Sequence, residues 1–133
     1  MAGSRNQIPA SAAFPMTPLT IPVFQILLSL LDDEVHGYAL IRDIRERTAD
    51  EVRLTASTLY AAIKRMVDAG LIEELEHRPR QAKDDPRRRY YRITAAGRAV
   101  AREEARRLER LTAMAREKRL LPSLRPSSVQ KGS

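Results

Sequence analysis

Cysteine is absent from this chain of 133 residues. That excludes thiol catalysis, Cys-ligated zinc and disulfide staples, and it suits a reducing compartment. Histidine is scarce as well: His36 and His77 are far apart, with no third ligand at metal-binding spacing, so no metal site is expected. No base is positioned by an orienting acid near a candidate nucleophile, and no Gly-rich loop could cradle a phosphate. The sequence therefore reads as a non-enzyme that needs no cofactor. The longest apolar run, from Ile21 to Leu31, is too short to span a bilayer. The N-terminal stretch has no continuous apolar segment of the secretory kind. The expectation is a cytoplasmic protein with no membrane partner.

What the chain has in surplus is basic charge. Lys and Arg number 24 against 17 acidic residues, for a net charge of +7. A basic surplus favours an anionic partner, and where it lies decides how much it says. Most of it falls in one segment, "HRPRQAKDDPRRRYYR" (77–92), where Arg78, Arg80, Lys83, Arg87, Arg88, Arg89 and Arg92 outnumber Asp84 and Asp85. The two aspartates would repel phosphate, which places them at a tip facing away from it.

Around that segment the pattern is helical. Residues 1–18 are rich in Ala, Ser and Pro without a period, and read as a disordered tail. Thr20 can cap a first helix with Pro22 in its first turn. That helix carries Ile21, Val23, Phe24, Ile26, Leu27, Leu28, Leu30 and Leu31 around nearly its whole circumference. One small core would cover one side only, so contact with a second chain is expected. "DDEV" reads as a loop. A second helix, about His36 to Thr48, buries Gly37, Leu40, Ile41, Ile44 and Thr48. "EVRL" is compatible with a short strand. Thr55 or Ser57 caps a third helix. At about 100° per residue its Leu59, Ala62, Ile63 and Met66 share one side, while Ser57, Tyr60, Ala61 and Lys64 share the other, flanked by Thr58 and Arg65. Gly70 ends the helix. "LIEELEH" and "RRRYYRIT" then pair as strands around the basic loop. Thr94 opens a long helix to about Arg119 with a thin stripe of Val100, Ala101, Ala105, Leu108, Leu111 and Ala115, suited to another helix.

Three helices followed by a basic hairpin is the order of a winged helix-turn-helix, a mainly α fold with a small β-hairpin (α+β). A B-form major groove is about 12 Å wide and admits one helix. A helix that enters it needs an apolar face for the core and a polar face for the bases, which is what residues 55–70 offer. The basic hairpin, as the wing, would grip phosphates. The domain limits that follow are 19–93 for the winged domain, 94–120 for a dimerisation helix and 121–133 for a flexible tail.

Four segments carry a family resemblance: "HGYALIRDI" (36–44), "TASTLYAAIKRMVDAGLIE" (55–73), "RRRYYRITAAG" (87–97) and the terminal helix. Together they resemble the PadR-type transcriptional regulators of the short branch with a single C-terminal helix, over about residues 19 to 119. Ala61 departs from the Pro that often follows the family's Tyr, and the wing lacks the Gly-Pro that often tightens its turn. The resemblance implies a homodimer that acts as a repressor on a double-stranded DNA operator, with release of some members by a small hydrophobic or aromatic effector. On this reading the DNA-binding candidates are Thr55, Ser57, Thr58, Tyr60, Lys64 and Arg65 on the helix, and Arg78, Arg80, Lys83, Arg87, Arg88 and Arg89 on the wing. The dimerisation candidates are Phe24, Leu27, Leu28, Val100, Leu108, Leu111 and Ala115.

The bland readings stand beside these. Tyr60 could be an ordinary half-buried aromatic and Lys64 a solvated charge. His36 reads as a helix-start or packing residue, and Tyr38 and Tyr91 as core aromatics. A different class of function, a winged-helix protein-interaction module that senses nothing, would use the same surfaces. An RNA-binding reading is disfavoured because the exposed aromatic pairs that stack splayed bases are lacking.

Overall fold

The computed structural model describes residues 18–76 and 88–124. Their order is α1 (Ile21–Leu30), β1 (Val35–His36), α2 (Gly37–Arg47), α3 (Ala56–Asp68), β2 (Ile72–Glu74), β3 (Tyr90–Ile93) and α4 (Ala95–Glu117). Expected features at residues 1–17, Arg78, Arg80, Lys83, Asp84, Asp85, Arg87 and 125–133 lie outside the described residues.

Each helix begins where a side chain can satisfy an orphan backbone N–H. Thr20 Oγ1 accepts from Val23 N at 3.4 Å, Thr55 Oγ1 from Thr58 N at 3.1 Å, and Thr94 Oγ1 from Gly97 N at 3.0 Å. His36 caps α2 in the same way, its Nδ1 accepting from Ala39 N at 3.1 Å. At the end of α3, Gly70 takes a φ of 79°, a left-handed conformation in which a Cβ would be strained. There Leu71 N donates to Met66 O at 2.9 Å and Gly70 N to Val67 O at 3.0 Å. Leu71 and Met66 are both fully buried, so the cap carries its usual apolar contact.

Two expectations about strands are corrected. Residues 51–54 form no strand: Thr48 Oγ1 instead accepts from Val52 N at 3.1 Å and shapes the turn between α2 and α3. Val35, the last residue of the expected loop, and His36, the first of the expected helix, form β1 and pair antiparallel with Tyr91 and Tyr90 of β3. β2 pairs on the other side of β3, with Ile72 opposite Ile93, so the sheet order is β1-β3-β2. A two-residue strand is too short to show alternation, and its partner lies far along the chain.

α1 is covered by its own chain further than one side. This helix is central: α2, α3, α4 and β3 of the same chain all pack on it. Val23, Ile26, Leu27 and Leu30 are buried in the common core with Leu40, Ile44, Leu59, Met66 and Val100. Leu27 and Val100, expected at a dimer seam, are thereby taken up inside their own chain. Phe24 and Leu28 are half-buried. One small core covers more of a helix than one side when other elements surround it.

Only the first part of α4 joins this core, through Gly97, Val100, Ala101 and Glu104. Glu104 is 2% exposed. It accepts two bonds from Arg107, Nε at 2.9 Å and Nη2 at 2.7 Å, and one from Leu19 N at 3.3 Å. The Arg107 bonds, more than burial opposes, hold its carboxyl below the ordinary value of 4.5. A depressed folded-state value gives stability that is full above the unfolded value and is lost as pH falls through the folded one. Glu104→Gln should therefore be less stable than wild type near neutral pH, with the gap closing as the solution is acidified. Denaturant midpoints across a pH series check this, and a gap that stays constant through the acid range would refute it.

Candidate nucleic-acid interface

The exposed face of α3 has the side chains expected of it. Thr55, Ser57, Thr58, Tyr60, Lys64 and Arg65 are all exposed, while Leu59, Ala62, Ile63 and Met66 anchor the opposite face. The first turn holds no acidic residue. Its hydroxyls form a local cluster, with Thr55 Oγ1 at 3.0 Å from Thr58 Oγ1 and 3.4 Å from Ser57 Oγ. Hydroxyls and free N–H groups at the positive end of a helix suit an anionic oxygen. One turn further on, Lys64 Nζ lies 3.3 Å from Asp68, an exposed i,i+4 pair.

Tyr60 is 47% exposed, and its ring does not simply point outward. It lies across the start of α2, where a Cβ on Gly37 would come within 2.5 Å of the Tyr60 hydroxyl oxygen and 2.8 Å of Cζ. Gly37 is thus the residue that lets the phenol seat. The sequence pattern marked Gly37 as a buried-face position, but its opposing ring belongs to another helix and was not legible.

The base of the wing meets the same turn from the other side. The guanidinium of Arg88 sits over the ring of Tyr38, 5.1 Å from its centroid, and Nη1 lies 3.2 Å from His36 Nδ1. His36 also packs edge-on against Tyr90, 5.2 Å between centroids. Tyr38 is 60% exposed, which corrects its reading as a core aromatic. Tyr91 is buried as expected, and burial, with Glu74 nearby, pushes its hydroxyl pKa up. Arg88 and Arg89 diverge. Arg89 Nη1 donates to Glu74 across the sheet at 3.0 Å, whereas Arg88 turns to α2. Arg92 donates through Nε to Glu73 at 2.6 Å, and that bond raises its pKa further.

Residues 36–38 thus join two surfaces, the exposed face of α3 and the foot of the hairpin. Among the described residues, no group of acidic or His side chains could hold a metal ion, and no helix is long and apolar enough to cross a membrane.

A helix presented beside an antiparallel hairpin, on a core of three further helices, defines the winged helix-turn-helix class. Comparison with known proteins narrows this. The sequence pattern of the Transcriptional regulator PadR-like family matches residues 26–103, and the chain belongs to that family. An uncharacterised protein of Lysinibacillus sphaericus is 32% identical over 78 residues, 59% of this chain and 69% of that one. A PadR family transcription regulator from Clostridium difficile superposes with a TM-score of 0.63 at 24% identity, covering 74% of this chain and 97% of that chain. A transcriptional regulator from Clostridium thermocellum gives 0.61 at 20% identity, over 88% and 95%. Bacillus subtilis PadR in complex with operator DNA gives 0.53 at 20% identity, over 63% of this chain and 46% of that chain. At these identities the structural likenesses speak for the fold.

Proposed function

We propose that this chain binds double-stranded DNA sequence-specifically as a dimeric repressor, with α3 in the major groove and the hairpin on flanking phosphates. The observation that carries the reading is the junction at residues 36–38, which holds the exposed face of α3 and the foot of the hairpin side by side. The operator complex of Bacillus subtilis PadR, a protein of similar fold, supports it. Lys64 and Arg89 have carboxylate partners in the free protein, Asp68 and Glu74. Exposed pairs of this kind contribute about 0–1 kcal/mol, so a phosphate can displace the carboxylates at small cost.

The second half of α4 gives the reading its dimer. Beyond Glu104 no α4 residue is buried in the chain, and Leu108, Leu111 and Met114 are exposed. With the half-buried Phe24, Leu28 and Ala115 they would form the seam between two copies. Leu120, Leu121 and Leu124 extend the apolar surface past the helix. There the chain is held by Leu120 N donating to Ala115 O at 2.9 Å and Arg116 Nε to Pro122 O at 3.2 Å. A small apolar effector would act at this seam by changing the angle between the two heads. Linkage then makes DNA weaken effector binding by the same factor.

The test is a pair of titrations across a salt series, one on a duplex that wild type selects from a random library and one on its scrambled version. Wild type should show a slope of log affinity against log salt on the order of −5 or steeper, since each neutralised phosphate adds roughly −0.9. Lys64→Ala and Tyr60→Phe should lose about 1–3 kcal/mol of discrimination between the duplexes. Replacing Arg87, Arg88 and Arg89 should weaken both duplexes alike and flatten the slope. If the arginine variant loses discrimination and the helix variants do not, the roles are reversed. A library from which wild type selects nothing would remove the reading altogether.

A further inference from the structure

We propose that Tyr38 is a positioning residue for the DNA grip: its exposed ring, with His36 Nδ1, fixes the Arg88 guanidinium at the foot of the wing. This rests on the DNA reading above. It assigns a role to a residue that burial does not explain, since the Tyr38 ring is 60% exposed and lies under the guanidinium at 5.1 Å.

The chemistry of the contact is specific. A guanidinium has no acceptor, so Arg88 can only donate to His36 Nδ1, and Ala39 N donates to the same atom. Neither of these two partners, Tyr38 and His36, is a carboxylate that phosphate would have to displace. A guanidinium held over an aromatic ring keeps its charge, and it binds phosphate through its N–H groups. An Arg side chain has much rotamer freedom to lose on binding. Ordering it in the free protein removes part of that loss from the binding step.

The same turn fixes the other reader. Gly37, between His36 and Tyr38, seats the Tyr60 phenol of α3. The turn therefore sets the spacing between the recognition helix and Arg88.

The experiment is a double-mutant cycle on the duplex selected by wild type, with Tyr38→Leu, Tyr38→Phe, Arg88→Ala and the Tyr38→Leu, Arg88→Ala pair. Tyr38→Leu should weaken binding about fourfold to twenty-fivefold, from two copies of a contact that contributes on the order of twofold to fivefold each. Tyr38→Phe keeps the ring and should restore nearly all of it. In the Arg88→Ala background, Tyr38→Leu should have no further effect. A nuclear resonance signature accompanies this in the DNA-free protein: Arg88 side-chain protons should carry a ring-current shift that survives Tyr38→Phe and vanishes in Tyr38→Leu. Additive losses mean that Tyr38 touches DNA itself, and overturn the proposal. So does unchanged affinity of Tyr38→Leu, or absence of the ring-current shift in wild type. Failure of wild type to select any duplex overturns the DNA reading as well, and is distinguishable from the other results because the shift needs no DNA.

Discussion

Replacing Leu108 and Leu111 together by Glu is expected to convert a dimer to a monomer and to cut affinity for the selected duplex about a hundredfold or more. Leu108 and Leu111 are 37% and 45% exposed in the single chain, and the helix that carries them projects past the core. With 23 residues at roughly 1.5 Å each, α4 is about 34 Å long. It is long enough for one half to bind its own head and the other to meet a partner. Across a two-fold seam each Glu would face another carboxylate or an apolar side chain. Buried and unpaired, a charge costs far more than the leucine contact gave. Monomers then bind one half-site at a time, and the gain from linking two binding events, typically a hundredfold to ten-thousandfold, is lost. Sedimentation at micromolar concentration gives the mass and titration gives the affinity. The dimer is refuted if wild type already sediments as a monomer, and its assigned seam is refuted if the double variant remains a dimer. The folded core should survive, because neither leucine belongs to it.

The second large effect belongs to Gly97. Gly97→Ala should destabilise the fold by roughly 3 kcal/mol, the upper range for overpacking a filled site. A Cβ there would run into the backbone carbonyl oxygen of Leu71 and come within 2.8 Å of Ile93 Cγ1. That carbonyl is not free to move. Thr94 N donates to it at 3.0 Å and Thr94 Oγ1 lies 2.9 Å from it, while Thr94 Oγ1 also caps α4 by accepting from Gly97 N. Alanine in a helix is favoured over glycine by about 0.5–1 kcal/mol, which is too little to offset the overlap. Gly37→Ala is the contrast. Its obstruction is the far end of the Tyr60 side chain, which can swing aside, so the stability loss should be much smaller. Denaturant melts of both variants measure the difference. Equal losses, or a Gly97→Ala protein as stable as wild type, would show that the close approach to Leu71 does not constrain the fold.

The Thr-x-x-Gly spacing of residues 94–97 was visible in the sequence, and half of its meaning was local. A threonine three residues ahead of a helical N–H can cap it, so Thr20 and Thr94 are placed without tertiary information, while at α3 the sequence leaves Thr55 and Ser57 open and the structure selects Thr55. The same holds for the two faces of α3. Periodicity alone puts Leu59, Ala62, Ile63 and Met66 opposite Tyr60 and Lys64, and Gly70 stops the helix by its own backbone freedom. The basic segment and the family motifs were likewise properties of the chain as written.

Packing decided the rest. α1 read as apolar all round, but only the arrangement of α2, α3, α4 and β3 determines that this one chain covers Leu27 and takes it from any partner. β1 exists because Val35 finds Tyr91, and a pairing so distant along the chain leaves no periodic mark on two residues. The helical period puts Gly37 on a buried face, while what it makes room for, the Tyr60 ring, is carried on a different helix. By its type Tyr38 reads as a core aromatic, and it lies outside, under Arg88, because an aromatic face can be satisfied by a cation as well as by an apolar wall. Caps, turns and faces arise from interactions within a few residues, which the sequence determines by itself. Contacts such as Arg88 to His36, 52 positions apart, exist only once the whole core has set where each element lies.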